Sequence, residues 1–192
     1  DMGDVRGQES AKRAVEVAKK TFGPDHLRVA ISLNNLATLY RIQGRYSEAE
    51  SLYKRSLNLK ERALGSNHPK VATALNNLAG VYRAQSDYKK AEPLYERALS
   101  IREQTLPSRH PDLGQSLNNL ALLYKMQGKY GEAELLYKRA LIVWEEALEP
   151  NDPNVATVLE NMAELYKEIG ENDKAEKLDM RAREIREDLG QR

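Results

Sequence analysis

Apolar residues recur along this chain with a helical period, in stretches that come in pairs. Leu33, Leu36, Ala37 and Tyr40 fall at i, i+3, i+4 and i+7, on one stripe of a 3.6-residue helix. A second stretch carries Ala49, Leu52, Tyr53, Ser56 and Leu57 with the same period. Gly44 between them is a stop signal, because glycine closes a helix just past its end. The second stretch runs to Leu64 and Gly65, and a short loop leads to Pro69. Pro69, Pro111 and Pro153 each stand where the next first helix starts, the turn that tolerates proline.

This helix pair is written four times. Ser32-Leu33-Asn34-Asn35-Leu36-Ala37 returns from Ala74, from Ser116 and, more loosely, from Val158, a step of 42 residues each time (32, 74, 116, 158). Gly44-Arg45-Tyr46-Ser47-Glu48-Ala49-Glu50 returns from Ser86, Gly128 and Gly170. The expected division is a partial repeat with its loop over 1–27, full repeats over 28–69, 70–111 and 112–153, and a last repeat with a polar cap over 154–192, all in one solenoid domain. The 10 tyrosines all fall on repeat positions, on or beside the apolar stripes, so they read as core and not as a base-stacking surface. Neither helix buries its stripe alone, and stacking makes the core continuous.

Composition removes several classes of function. A formal net charge of +1 in 192 residues gives no overall pull toward nucleic acid or an anionic membrane. Cysteine is absent, so disulfides, thiolate metal sites and cysteine nucleophiles are excluded. Residues 1–20 hold no apolar signal segment, and no apolar run approaches a membrane span. The expectation is a cytoplasmic protein without a cofactor.

The Gly44, Tyr46, Ala49 and Tyr53 signature, nearly intact in three repeats, resembles the tetratricopeptide repeat family in the 42-residue form of kinesin light chains and many bacterial proteins. The resemblance runs from Arg28 to about Leu189. It implies an all-α, right-handed superhelical solenoid of antiparallel helix pairs, a non-enzymatic adaptor or scaffold whose first helices line a concave groove for an extended peptide. No heptad segment for a kinesin heavy chain is present, so that activity is not implied.

Opposite the stripe of the first helix lies a face holding Ile31, Asn34, Asn35, Thr38, Arg41 and Ile42. Asn34, Asn35, Asn76, Asn77, Asn118, Asn119 and Asn161 fill seven of its eight equivalent positions. Asparagine is a mediocre helix former, and its amide can pair with any peptide backbone; in the family, groove asparagines clamp peptides. The competing reading is that these amides serve only the stacking of helices. Arg41, Arg83, Lys125 and Lys167 add one cation per repeat, which favours an acidic ligand or a terminal carboxylate. Glu160, Glu164 and Glu168 make the last repeat's face acidic. The expected partner is thus a protein or peptide bound by a monomer. The alternative is a structural spacer or self-assembly module with no groove ligand.

Other candidates carry less. His26, His68 and His110 are one repeat apart, too far to share a metal, and read as loop ends before the following helix. No phosphate loop or nucleophile with a base appears, so no catalytic residue is expected. Trp144 stands where other repeats have Lys60, Arg102 and Arg186, either exposed to a partner or packed on an adjacent loop. The stretch 8–22 reads as a second-type helix without a first helix of its own, compatible with a longer array or a cap. At the other end, Asn172, Asp179 and Arg183 replace Tyr46, Tyr53 and Leu57, which suits a face turned to water.

Overall fold

A computed structural model describes the backbone of residues 2–190 and the side chains of residues 7–190. Its described residues form nine helices and no strand: α1 (Met2–Phe22), α2 (Leu27–Ile42), α3 (Tyr46–Leu64), α4 (Pro69–Ala84), α5 (Tyr88–Thr105), α6 (Pro111–Met126), α7 (Tyr130–Ala147), α8 (Pro153–Glu168) and α9 (Asn172–Gly190). The architecture is all-α, built by packing consecutive helices as pairs. Two compact units divide it, Asp1–Ile101 and Arg102–Arg192.

Each first helix starts on a side-chain cap. His26, His68 and His110 each accept, through Nδ1, the N–H two residues on, at 3.1 Å. Asp152 does the same for Asn154 at 2.8 Å. The three histidines thus satisfy one of the donors that a helix start leaves open, and Asp152 is the fourth solution to that problem. Proline fills the first turn of α4, α6 and α8.

The first helices end at a left-handed residue. Gly44, Gly128 and Gly170 have φ of +73°, +75° and +82°. The second repeat places Ser86 there, at φ +59°, a conformation in which a Cβ is crowded.

Small residues make the seam between helices. Ala37, Ala79, Ala121 and Ala163 on the first helices are fully buried, as are Ala49, Ala91 and Ala133 on the second. In the first unit, Ser56 Oγ donates to the Ala30 carbonyl at 2.7 Å, fixing α3 against α2. Ala98 and Ile101 of α5 pack on Val71, Ala72 and Leu75 of α4.

Within each unit a tyrosine ties one repeat to the one before. Gln8 donates to the Tyr40 hydroxyl at 3.3 Å, and the Tyr82 hydroxyl donates to Glu50 at 2.9 Å. In the second unit, the Tyr166 hydroxyl donates to Glu134 at 2.8 Å. Gln8, Glu50 and Glu134 share one repeat position. Burial, then the Glu134 carboxylate, pushes the Tyr166 hydroxyl up to about 12. Arg45, Lys90 and Lys174 lie over the Tyr40, Tyr82 and Tyr166 rings, 4.0–5.3 Å from the centroids, so cation–π attraction helps to hold each ring in place within its own repeat. Tyr53, Tyr95 and Tyr137 are buried, while Tyr130 is 36% exposed.

Relieving the left-handed serine is the direct test of the helix stop. Ser86→Gly is expected to raise stability by about 0.5–1 kcal/mol, read as a higher denaturant midpoint with an unchanged m-value. Gly44→Ala should shift the midpoint the other way; two unmoved midpoints would show that the turn conformation costs nothing here.

Candidate functional site

The first helices present their asparagines side by side, and the amides meet. Asn77 Nδ2 donates to Asn34 Oδ1 at 2.9 Å in the first unit, and Asn161 Nδ2 donates to Asn118 Oδ1 at 2.9 Å in the second. The rule is the same in both: the second asparagine of one repeat bonds the first asparagine of the repeat before. Asn76 and Asn118 are buried, and Asn76 also donates back to the Ala72 carbonyl at 3.2 Å. Asn119 is half-buried and engaged in contacts of its own. Asn35 alone of the seven is exposed. Thr38 turns inward, its hydroxyl 2.8 Å from that of Tyr53, whereas Ile31 and Ile42 remain 45% and 71% exposed.

The four cations divide as well. Lys125 is buried and ion-paired to Glu164 at 2.7 Å and Glu168 at 3.5 Å. Lys167 pairs with Asp179 at 2.5 Å, and Arg186 holds Glu160 at 3.0 Å. The acidity expected of the last repeat is therefore neutralised within the second unit. Asp179 sits where Tyr53 does in the first repeat and reaches back, like Tyr53, to the first helix of its own repeat; Arg183 and Asn172 are exposed.

Arg41 and Arg83, in the first unit, make no ion pair among the described residues. Both are half-buried, and the Arg83 Nε is shielded from water with no hydrogen-bond partner. They share a neighbour, the buried Tyr95 hydroxyl. Burial pushes Tyr95 up, while the Arg83 charge, its hydrogen bond to the phenol and the Arg41 charge pull it back. Gly80 stands where Thr38 does one repeat earlier, and a Cβ there would lie 3.6 Å from the Tyr95 hydroxyl. Two guanidiniums, from α2 and α4, thus gather near one phenol, with no ion-paired carboxylate among the described residues.

The family model for the tetratricopeptide repeat matches residues 5–62, 34–104, 71–141 and 112–188. The chain belongs to the tetratricopeptide repeat family. The BtubC (BKLC) structure from P. vanneervenii is similar over 98% of this chain and 75% of its own, with 24% identity and a TM-score of 0.81. A putative kinesin light chain of Podosopora anserina with nearly identical repeats is 25% identical, with a TM-score of 0.78 over 98% of this chain and 89% of its own. MamA, at 18% identity, has a TM-score of 0.63 over 94% of this chain and 89% of its own. No curated protein matches the sequence. The repeats are of the kinesin light chain kind, in a family that generally serves protein–protein interaction or scaffolding and is typically non-enzymatic. Among the described residues no helix is long and apolar enough to cross a membrane, and no cluster of His, Asp or Glu is arranged to hold a metal.

One further position of the tetratricopeptide unit separates the repeats. Lys60, Arg102, Trp144 and Arg186 are equivalent, and the first three are buried. Arg102 donates to the Asp112 carbonyl at 2.5 Å and to Ser116 Oγ at 2.9 Å. Trp144 packs on helix α6, not on a loop: its indole N–H donates to the Pro111 carbonyl at 3.0 Å. A Cβ on Gly114 would lie 2.7 Å from the Trp144 Nε1. The paired signal was in the sequence, since Gly114 replaces Ala30, Ala72 and Ala156 opposite the one repeat with tryptophan. Trp144 is therefore core. Lys60 has no ion-pair partner among the described residues, and burial, with the Lys70 charge, lowers its ammonium to about 8.

Two measurements follow from this position. Gly114→Ala is expected to cost about 1–3 kcal/mol by overpacking, and adding Trp144→Leu should recover part of that loss; a double variant no more stable than Gly114→Ala would separate the two residues. For Lys60, the folded chain releases its proton near pH 8 and the unfolded chain near 10.5. The unfolded state then binds more protons in that window, so this residue's contribution to stability rises as pH rises from about 8 to 10. Urea midpoints should show that rise relative to Lys60→Met, and parallel pH profiles for the two proteins would refute it.

Proposed function

We propose that this chain is a non-enzymatic adaptor that holds an extended peptide along its first helices, with an anionic group of the peptide seated at Arg41 and Arg83. The observation that carries this reading is the pair of half-buried guanidiniums with no ion-paired carboxylate among the described residues, one with a shielded and unpartnered Nε. A buried donor without an acceptor is costly, and an incoming carboxylate removes that cost with charge-assisted bonds. The exposed Asn35 amide lies on α2 with Arg41 and suits a peptide backbone. Lys125 and Lys167 belong to internal ion pairs, so the acid-reading part of the face is confined to the first unit.

A second reading has its own support. Asn77 bonds Asn34 in the first unit and Asn161 bonds Asn118 in the second, as a structural spacer or self-assembly module requires.

The distinguishing experiment titrates a panel of extended, Asp/Glu-rich peptides with free carboxyl termini. Adaptor function predicts affinity that falls as salt rises and drops about tenfold or more in the Arg41→Ala, Arg83→Ala double variant, with its melting temperature retained. Lys125→Ala should instead lower stability, since it removes a buried side chain that pairs with Glu164 and Glu168. If no peptide binds, or the double variant binds equally well, the spacer reading stands.

A further inference from the structure

Equivalent positions show which chemistry the Arg41 and Arg83 site lacks. In the second unit, Lys125 holds two carboxylates of the following repeat, Glu164 at 2.7 Å and Glu168 at 3.5 Å, with its own side chain 8% exposed. Arg41 stands at the position of Lys125, and Gly80 and Ala84 stand at those of Glu164 and Glu168. The array thus answers a buried cation at this position with two negative charges. The first unit keeps a half-buried cation there and omits both acids.

The same replacement takes a partner from the phenol. The Tyr53 hydroxyl lies 2.8 Å from Thr38 Oγ1, whereas Tyr95, its equivalent, has Gly80 in the place of that threonine. Arg83 hydrogen-bonds to the Tyr95 phenol, and the Arg41 charge acts on it as well. A bond from Arg uses the phenol oxygen as acceptor and leaves its O–H free to donate. The Arg83 Nε adds an N–H shielded from water and without a partner. Donors from α2, α4 and α5 therefore surround one place that lacks two negative charges. A carboxylate brings two coplanar oxygens and a single charge. A phosphate monoester brings three terminal oxygens and a charge of about −1.5 to −2, and guanidiniums match its geometry.

We infer that the Arg41 and Arg83 site takes a phosphate monoester, carried on a phosphoserine or phosphothreonine of the bound peptide. This rests on the adaptor reading and names the anion that reading leaves general. The phosphate occupies the room that Glu164 and Glu168 fill in the fourth repeat, so phosphorylation of the partner switches its capture on.

Amide-capped, fluorescein-labelled Ala/Gln peptides that differ only at their centre, carrying phosphoserine, serine or the pair Asp-Glu, test this by titration into the 192-residue chain. The phosphoserine peptide should bind about tenfold or more tighter than either of the others. Gly80→Glu restores the acid that the fourth repeat has at that position; it should pair with Arg41 and abolish the binding, while the melting temperature holds or rises. Tyr95→Phe, which keeps the buried ring, should weaken the phosphoserine peptide about threefold or more and the Asp-Glu peptide less. A phosphoserine peptide that binds no tighter than the Asp-Glu peptide, with both dependent on Arg41 and Arg83, overturns this inference and leaves the adaptor reading standing. If no peptide binds, both fall. Phosphoserine binding that is indifferent to Gly80→Glu, or that inorganic phosphate displaces at the peptide's own concentration, also overturns the inference.

Discussion

Close approach of helices along a seam of alanines is the constraint on which everything else in this protein rests. A helix of 16 residues with a narrow apolar stripe has little intrinsic stability in water, and these stripes are built around Ala37, Ala79, Ala121 and Ala163. Alanine lets two backbones come near, so the larger neighbours on each side, Leu33 or Tyr53 in the first repeat, interlock at full depth. A wider residue on the seam would push the helices apart and open every contact beside it.

That spacing also dictates what the polar positions do. Once first helices stand side by side, residues at one repeat position meet those of the next at hydrogen-bonding range. The array then satisfies its own amides, as Asn77 does with Asn34 and Asn161 with Asn118. Tyr82 and Tyr166 reach glutamates one repeat back for the same reason. Stacking therefore draws on the same set of side chains that the helix face presents, and in the first unit it leaves Asn35 exposed and Arg41 and Arg83 without an ion pair among the described residues. In the second unit Glu164, Glu168 and Asp179 consume the corresponding cations.

The fold was nearly all legible. Pair boundaries followed from Gly44 and its equivalents and from the prolines, because both residue types act locally on the backbone. The histidines read as loop ends and proved to be caps, a role fixed by their own neighbours two residues away. The site was less legible. Lys125 looked like Arg83 in the sequence, yet one is buried against two glutamates and the other has no ion pair. Trp144 looked anomalous until paired with Gly114, thirty residues away in sequence (144 against 114) but in contact.

The sequence by itself determined the helices, their order and their repetition, since hydrophobic period, caps and breakers act within a few residues of one chain. It also determined which side chains would recur on one face. Only the tertiary structure decided which of them remain available. Whether an asparagine or a cation faces a ligand depends on the group that the adjacent helix brings within about 3 Å, and that distance is set by packing depth between helices, a quantity no periodicity along the chain contains.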